Sequence, residues 1–259
     1  MKAKPVFLIC PYKMGSASGR NLREILKEYL GYEIVRVSPE HVLHSNEWLI
    51  NWGNGHLQGK TGSQTTNARV FNIGANVCLS INKIDFLRTM TKAKIPTLKW
   101  TTSPTTALSL VETGDRLYCR HQVEGRDGRG IEVCENPNQL PVARLYTVGV
   151  PSTCEYRIHV FRGKPIFDLI KQNKTKTIEN SIIRSGEFGW FYSRDCVAPD
   201  NVRDIASQTC DALGLDFCAV DILYNAKSKE ATVLESNTAP ELGPWTRKAY
   251  AKKFLALLP

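Results

Sequence analysis

The chain has 259 residues, 42% hydrophobic and 23% charged, the balance of an ordinary globular protein long enough for one large core or two to three smaller lobes. No run approaches the ~18 apolar residues of a membrane span, and the eight cysteines form no Cys-x-x-Cys pair, which argues against a zinc site or disulfide framework and for reduced thiols in a cytoplasmic setting. The formal charge of +9 suits an anionic partner, nucleotide or nucleic acid, without choosing between them, because Lys and Arg are spread along the chain.

Residues 6–10 read as a first strand; the apolar run is too short for a signal peptide, and Pro11-Tyr12-Lys13 end it. Leu22, Ile25, Leu26 and Leu30 predict a helix over 19–30, with strands at 32–37 and 49–53 and a polar loop running to about 66. This alternation predicts a small parallel sheet. No Gly-x-Gly-x-x-Gly follows the first strand, so a dinucleotide site lacks its main support.

Asn82 fits the N-cap of a helix carrying Lys83, Phe86, Leu87 and Met90, and residues 93–100 turn through Ile95-Pro96 into a strand. Residues 116–121 form a strand with Arg120 inward, followed by Gly125, Gly128 and Gly130. Such glycines let backbone N–H groups approach phosphate oxygens, although a plain hairpin turn explains them equally well. Residues 143–148 form the strand that leads out. Over 154–171, two β runs flank the turn Arg162-Gly163-Lys164. Alternation sets Glu155, Arg157 and His159 on one face and Tyr156, Ile158 and Val160 on the other, with His159 read as a structural residue and not a base. A face of surface salt bridges is the plainer alternative. Residues 201–213 read as an amphipathic helix ended by Gly214.

The densest chemistry lies near the end, where residues 217–223 and 231–237 read as neighbouring strands. Asp221, Glu235 and Asn237 are oxygen-bearing residues in otherwise apolar runs, and Glu235 and Asn237, two apart, share a face. If Asp221 joins them, three hard oxygens converge, the donor type that Mg²⁺ prefers. Asp and Asn at strand ends also cap turns, so the trio alone does not decide.

The order Asp-Ile-Leu, then Leu-Glu-Ser-Asn-Thr-Ala-Pro, resembles the metal-binding end of the ATP-grasp superfamily, and residues 80–245 resemble that module in its family order, in the manner of glutathione synthetase and the ligases that add glutamate to a ribosomal protein. The resemblance implies an α/β ATP-grasp fold: an N-terminal parallel α/β domain (1–80), a central lid (81–148) and a C-terminal, mainly antiparallel domain (149–259). It implies Asp221, Glu235 and Asn237 as ligands of Mg²⁺, two ions with Mn²⁺ able to substitute. It implies Lys83, Arg120, Gly125, Gly128, Gly130 and Ile131 around the phosphates of ATP, and the main chain of Tyr146, Thr147 and Val148 at adenine. Arg157, Lys171 and Arg184 would face the transferred phosphate. Arg120 departs from the pattern, since the family usually has Lys there. Several segments also resemble ATP-grasp proteins carried by bacteriophages, which implies a host cytoplasm.

The implied activity is an ATP-dependent carboxylate–amine or carboxylate–thiol ligase. It would form an acyl phosphate on a small acid, amino acid or peptide, with a protein or peptide acceptor and a homodimer both compatible. Two alternatives stand beside it. One is an ATP-grasp kinase; the other is a basic nucleic-acid-binding protein without catalysis, suggested by the charge and by Trp52, Trp100, Trp190 and Trp245.

Overall fold

Three sheets carry the chain in a computed structural model that describes residues 5–59, 68–124, 130–173, 184 and 189–258. The first is parallel, in the order β2-β1-β3-β4, built from β1 (Val6–Pro11), β2 (Val35–Arg36), β3 (Glu47–Trp52) and β4 (Arg69–Phe71). The crossover helix α1 (Ala17–Leu30) starts where the Ser16 hydroxyl accepts the Gly19 N–H at 3.1 Å and stops at Gly31, whose φ of 75° suits glycine. β2 is shorter than the sequence pattern predicts. It is an edge strand with both residues exposed, and beyond it one more bond, from the Val37 N–H to the Ile9 carbonyl at 3.0 Å, continues the contact with β1.

The second sheet is antiparallel, in the order β5-β8-β6-β7, from β5 (Trp100–Thr101), β6 (Leu117–Arg120), β7 (Ile131–Cys134) and β8 (Leu145–Val148). With α4 (Pro104–Glu112) it encloses a small core of its own, including Leu110, Leu117, Cys119 and Tyr146. The third sheet, also antiparallel, runs β11-β10-β9-β12-β13, from β9 (Cys154–Phe161), β10 (Lys164–Asn173), β11 (Trp190–Ser193), β12 (Phe217–Asn225) and β13 (Glu230–Asn237).

One face of this five-stranded sheet is apolar. Tyr156, Ile158, Val160, Val220, Ile222 and Val233 pack there against α3 (Lys83–Lys92) and α5 (Asp200–Ala212). Asn82 caps α3 as expected, accepting the N–H groups of Ile84 and Asp85 at 3.1 and 3.2 Å. Because strand side chains alternate, packing this face leaves Glu155 and Arg157 on the other.

The parallel sheet joins the third through aromatic packing. Trp52 stacks on Phe217 with centroids 5.3 Å apart, and Tyr250 and Phe254 of α6 (Pro244–Leu255) meet both sheets edge-on. Asn72 adds a polar clasp between α2 (Gly74–Ile81), β4 and the start of β12. Its fully buried amide donates to the Phe217 carbonyl (2.8 Å) and accepts the N–H groups of Asp216 (2.8 Å) and Phe217 (3.2 Å). Its φ of 62° lies in the left-handed region that Asn tolerates better than most residues.

Asn72→Ala would strand those three backbone groups, two of them buried and one partly buried, at ~1–3 kcal/mol for each one left unpaired out of water, and would strain the backbone. Urea unfolding should show a loss of at least about 3 kcal/mol. A midpoint unchanged from wild type would mean that the clasp contributes nothing.

Candidate active site

Between the polar face of the third sheet and the second sheet lies a cleft of about 980 Å³. Strand register lays out its floor. Asp221 stands opposite Glu235 on β13 and opposite Arg157 on β9, and Arg157 in turn faces Leu169 on β10. The next level pairs Leu223 with Glu155, and Lys171 with Tyr192. Lys83 reaches in from the first turn of α3, and Tyr118, Arg120, Ile131, Thr147 and Val148 of the second sheet close the cleft from above.

Register also explains a residue that strict alternation hides. Asp221 pairs with Glu235 but Ile222 pairs with Val233, so Leu234 is the extra residue of a β-bulge. The bulge turns two consecutive side chains, Leu234 and Glu235, into the cleft. Leu234 joins Leu98, Ile131, Val148 and Leu223 among the apolar residues of its lining.

The charges are interlocked. Arg157 grips both oxygens of the buried Asp221 through Nε (2.6 Å) and Nη2 (2.7 Å), and its guanidinium lies 4.1 Å from the Tyr192 ring centroid. Lys83 Nζ donates to Glu235 Oε2 at 2.5 Å, and Lys171 Nζ to Glu155 Oε1 at 2.7 Å. Burial disfavours the Glu235 carboxylate, but Lys83, with help from Arg120 and Arg157, overrides it and brings the pKa down to about 2. At Glu155 burial wins over Lys171, and the pKa is raised. Burial pulls Arg120 down against the opposing pull of Glu235. For Arg157 burial is overcome by Asp221, so it stays protonated.

Most of the sequence-derived candidates meet here. Lys83, Arg120, Ile131, Thr147, Val148, Arg157, Lys171, Arg184, Asp221 and Glu235 all line the cleft. Arg184 Nη2 donates to Ser152 Oγ at 3.2 Å and Nη1 lies 3.8 Å from Glu155. Asn237 is two residues beyond Glu235 on its face, but its Oδ1 accepts the Ala239 N–H at 3.3 Å and the residue does not line the cleft.

Tyr146 is the other outlier. Its ring is in the core of the second sheet, with its hydroxyl donating to the Pro141 carbonyl and accepting the Ala143 N–H. The Val148 N–H is already given to the Lys99 carbonyl, and that of Gly149 to Arg116. The next N–H, that of Val150, has no partner among the described residues, and Val150 lines the cleft. Gly130 keeps a φ of 71°, and its carbonyl accepts the His121 N–H, while Gly125 and Gly128 lie outside the described residues. Sequence reasoning missed Tyr192, Leu234 and the site role of Glu155; only Glu155, sharing a face with Arg157, had a signal.

The carboxylates suit a hard cation. Asp221 and Glu235 face each other across a strand pair, with Cβ atoms of such a pair typically ~5 Å apart. Among the described residues no group of three or more His, Cys, Asp or Glu gathers as a ready-made metal cage. Two opposed carboxylates, with water and phosphate completing the shell, match what Mg²⁺ takes.

No family model and no curated protein matches this sequence. Solved structures do match. The ATP-grasp ligase PsnB in complex with a minimal precursor, Mg and ADP is 12% identical, with a TM-score of 0.69 over 97% of both chains. D-alanine–D-alanine ligase from Bacillus anthracis is 13% identical, with a TM-score of 0.66 over 98% of this chain and 95% of that one. A RiPP-associated ATP-grasp ligase from Chryseobacterium gregarium, in complex with ADP and a leader and core peptide, is 13% identical, with a TM-score of 0.67 over 98% and 97%. The chain therefore has the ATP-grasp fold, over nearly its whole length. These likenesses carry no information on a bacteriophage source.

One buried group beside the site gives a pH test. His159 is fully buried, 3.2 Å from the Tyr250 hydroxyl, and burial together with Arg157 pushes its pKa down to about 3. An unfolded histidine titrates near ~6.5, so from there down to about 3 the unfolded chain binds a proton that the folded chain refuses. This group's contribution to stability therefore falls with pH across that window, by up to ~1.4 kcal/mol per pH unit. Unfolding midpoints measured from pH 7 to pH 5 should fall less steeply for His159→Gln than for wild type. Parallel curves would contradict a neutral, buried His159.

Proposed function

We propose that the protein is an ATP-dependent carboxylate–amine ligase, activating an acid as its acyl phosphate with Mg-ATP bound in the cleft. The single observation that carries this reading is the row Glu235–Asp221–Arg157, flanked by Lys83, Arg120 and Lys171, inside an ATP-grasp fold. Residues 1–80, 81–148 and 149–259 act as three lobes, with the second sheet as the lid and α3 seated on the third lobe.

In this reading adenine lies along Leu98, Ile131, Val148, Leu223 and Leu234, with the Val150 N–H, which has no partner among the described residues, as the donor to the base edge. Lys83 and Arg120 hold the phosphates, aided by the glycine-rich segment ending at Gly130. Asp221 and Glu235, with Asn237 nearby, would hold Mg²⁺, which when bound would offset the phosphate charge. Glu235 serves because it stays ionised at any physiological pH. Arg157 and Lys171, with Arg184, face the γ-phosphoryl group and the acid that receives it. Attack by the acid carboxylate on the γ-phosphorus forms the acyl phosphate and releases ADP; the amine then attacks the acyl carbon and phosphate departs. A closed lid keeps water from the intermediate. The precursor peptide in a PsnB complex and the leader and core peptide in the Chryseobacterium complex make a peptide the substrate class to test first.

ADP and phosphate release from Mg-ATP should be measured with pools of amino acids, small acids and peptides. Pool-dependent release of both products is expected, with Glu235→Gln at least ~100-fold slower, a barrier increase of ~2.7 kcal/mol. ADP without phosphate would mean phosphotransfer to a stable product. An unimpaired Glu235→Gln would defeat the metal assignment, and absence of nucleotide binding would defeat the reading.

A further inference from the structure

Arg194 follows β11 directly. The last pair of that strand is Ser193 with Ile170, so Arg194 is level with Leu169, whose partner on β9 is Arg157. The row of the candidate site thus continues across the sheet: Glu235, Asp221, Arg157, Leu169, Arg194. Arg194 lines the same cleft, two strand spacings from Arg157, or roughly 10 Å. Leu169 and Phe167 of β10 lie along the floor between them.

Its surroundings differ from those of Arg116, Arg157 and Arg184, each of which has an acidic or hydroxyl partner. Asp221 occupies Arg157, and Glu135 occupies Arg116. The Arg194 guanidinium makes no hydrogen bond or ion pair among the described residues. It is stacked over the indole of Trp245, 4.4 Å from the ring centroid. Trp245, on the first turn of α6, is 53% exposed and also lines the cleft; Lys248 approaches the same ring at 5.8 Å. Stacking fixes the plane of a guanidinium while leaving its N–H fork available, the arrangement suited to bidentate capture of a carboxylate. Glu241 also lines the cleft, against the two cations at Trp245.

We propose that Arg194, held on Trp245, receives a second, non-reacting carboxylate of the acid substrate. The acid is then one with two anionic groups roughly 10 Å apart across an apolar stretch, a dicarboxylate or an acidic peptide, and not a simple monocarboxylate. This rests on the ligase reading above for where the reacting carboxylate sits, near Arg157.

The test is calorimetric titration of wild type, Arg194→Gln and Trp245→Leu. The probes are straight-chain dicarboxylates from succinate to sebacate, the monoamide of each, and an oligoglutamate peptide, with and without saturating MgADP. At least one diacid or the peptide should bind wild type, with monoamides weaker by about tenfold or more, the worth of one charge-assisted pair. In Arg194→Gln that discrimination should shrink to less than twofold, and Trp245→Leu should fall between. Preference for oligoglutamate would identify the peptide class, and preference for one diacid the small-molecule class. No binding of any probe, equal binding of diacid and monoamide, or an Arg194→Gln variant that discriminates like wild type would overturn the proposal. Failure of MgADP to bind would strike the ligase reading instead, while the titrations without nucleotide still decide the role of Arg194.

Discussion

Ionised groups taken out of water must compensate one another, and the polar face of the five-stranded sheet is organised by that requirement. Asp221 and Glu155 are buried, and each is met by a cation from the neighbouring strand. Glu235 is met by Lys83, which arrives from a different element altogether, the capped start of α3. Removing one partner of such a pair is far costlier than the pair's net contribution, because it leaves a charge without solvent or counterion. Each pair is therefore all-or-none: a face that keeps one member of a pair and loses the other is less stable than one in which both are apolar.

The apolar side of the same strands makes this possible. Tyr156, Ile158 and Val160 alternate with Glu155, Arg157 and His159, and packing of the former against α3 and α5 leaves the latter no other direction to point. The helix that buries one face also delivers Lys83 to the edge of the other. Packing and electrostatics are thus coupled through a single helix, whose first turn is set by the Asn82 side chain. Tyr192 has a similar double role, its ring beneath Arg157 and its hydroxyl 3.4 Å from Glu155.

Features governed by local periodicity were legible in the sequence. The Asn82 cap, the two faces of β9 and the pairing of Glu235 with Asn237 on one side all follow from short-range rules, and the structure has them. The opposition of Asp221 and Glu235 was legible only as a condition, since two strands can pair in either register. Features set by a partner strand were not legible. Nothing in Thr-Val-Leu-Glu announces that Leu234 bulges, because the bulge exists only relative to β12. Tyr192 sits on an edge strand whose neighbour, β10, is separated from it in sequence by residues 174–189, so its place beside Lys171 appears only with the pairing. Near Tyr146, β8 is an inner strand with neighbours on both sides and the Val148 N–H is taken by Lys99, whereas the Val150 N–H, further on, has no partner among the described residues.

The bulge at Leu234 has a consequence for how such a site can change. It makes an apolar wall residue and a carboxylate covalent neighbours, both turned to the same cavity. In the proposed reading these touch opposite ends of one nucleotide, the base and the metal-bound phosphates. A single peptide bond then serves as the ruler between recognition and chemistry. Shifting one by a residue shifts the other, so base preference and metal geometry are not independent design variables here; they must drift together or not at all.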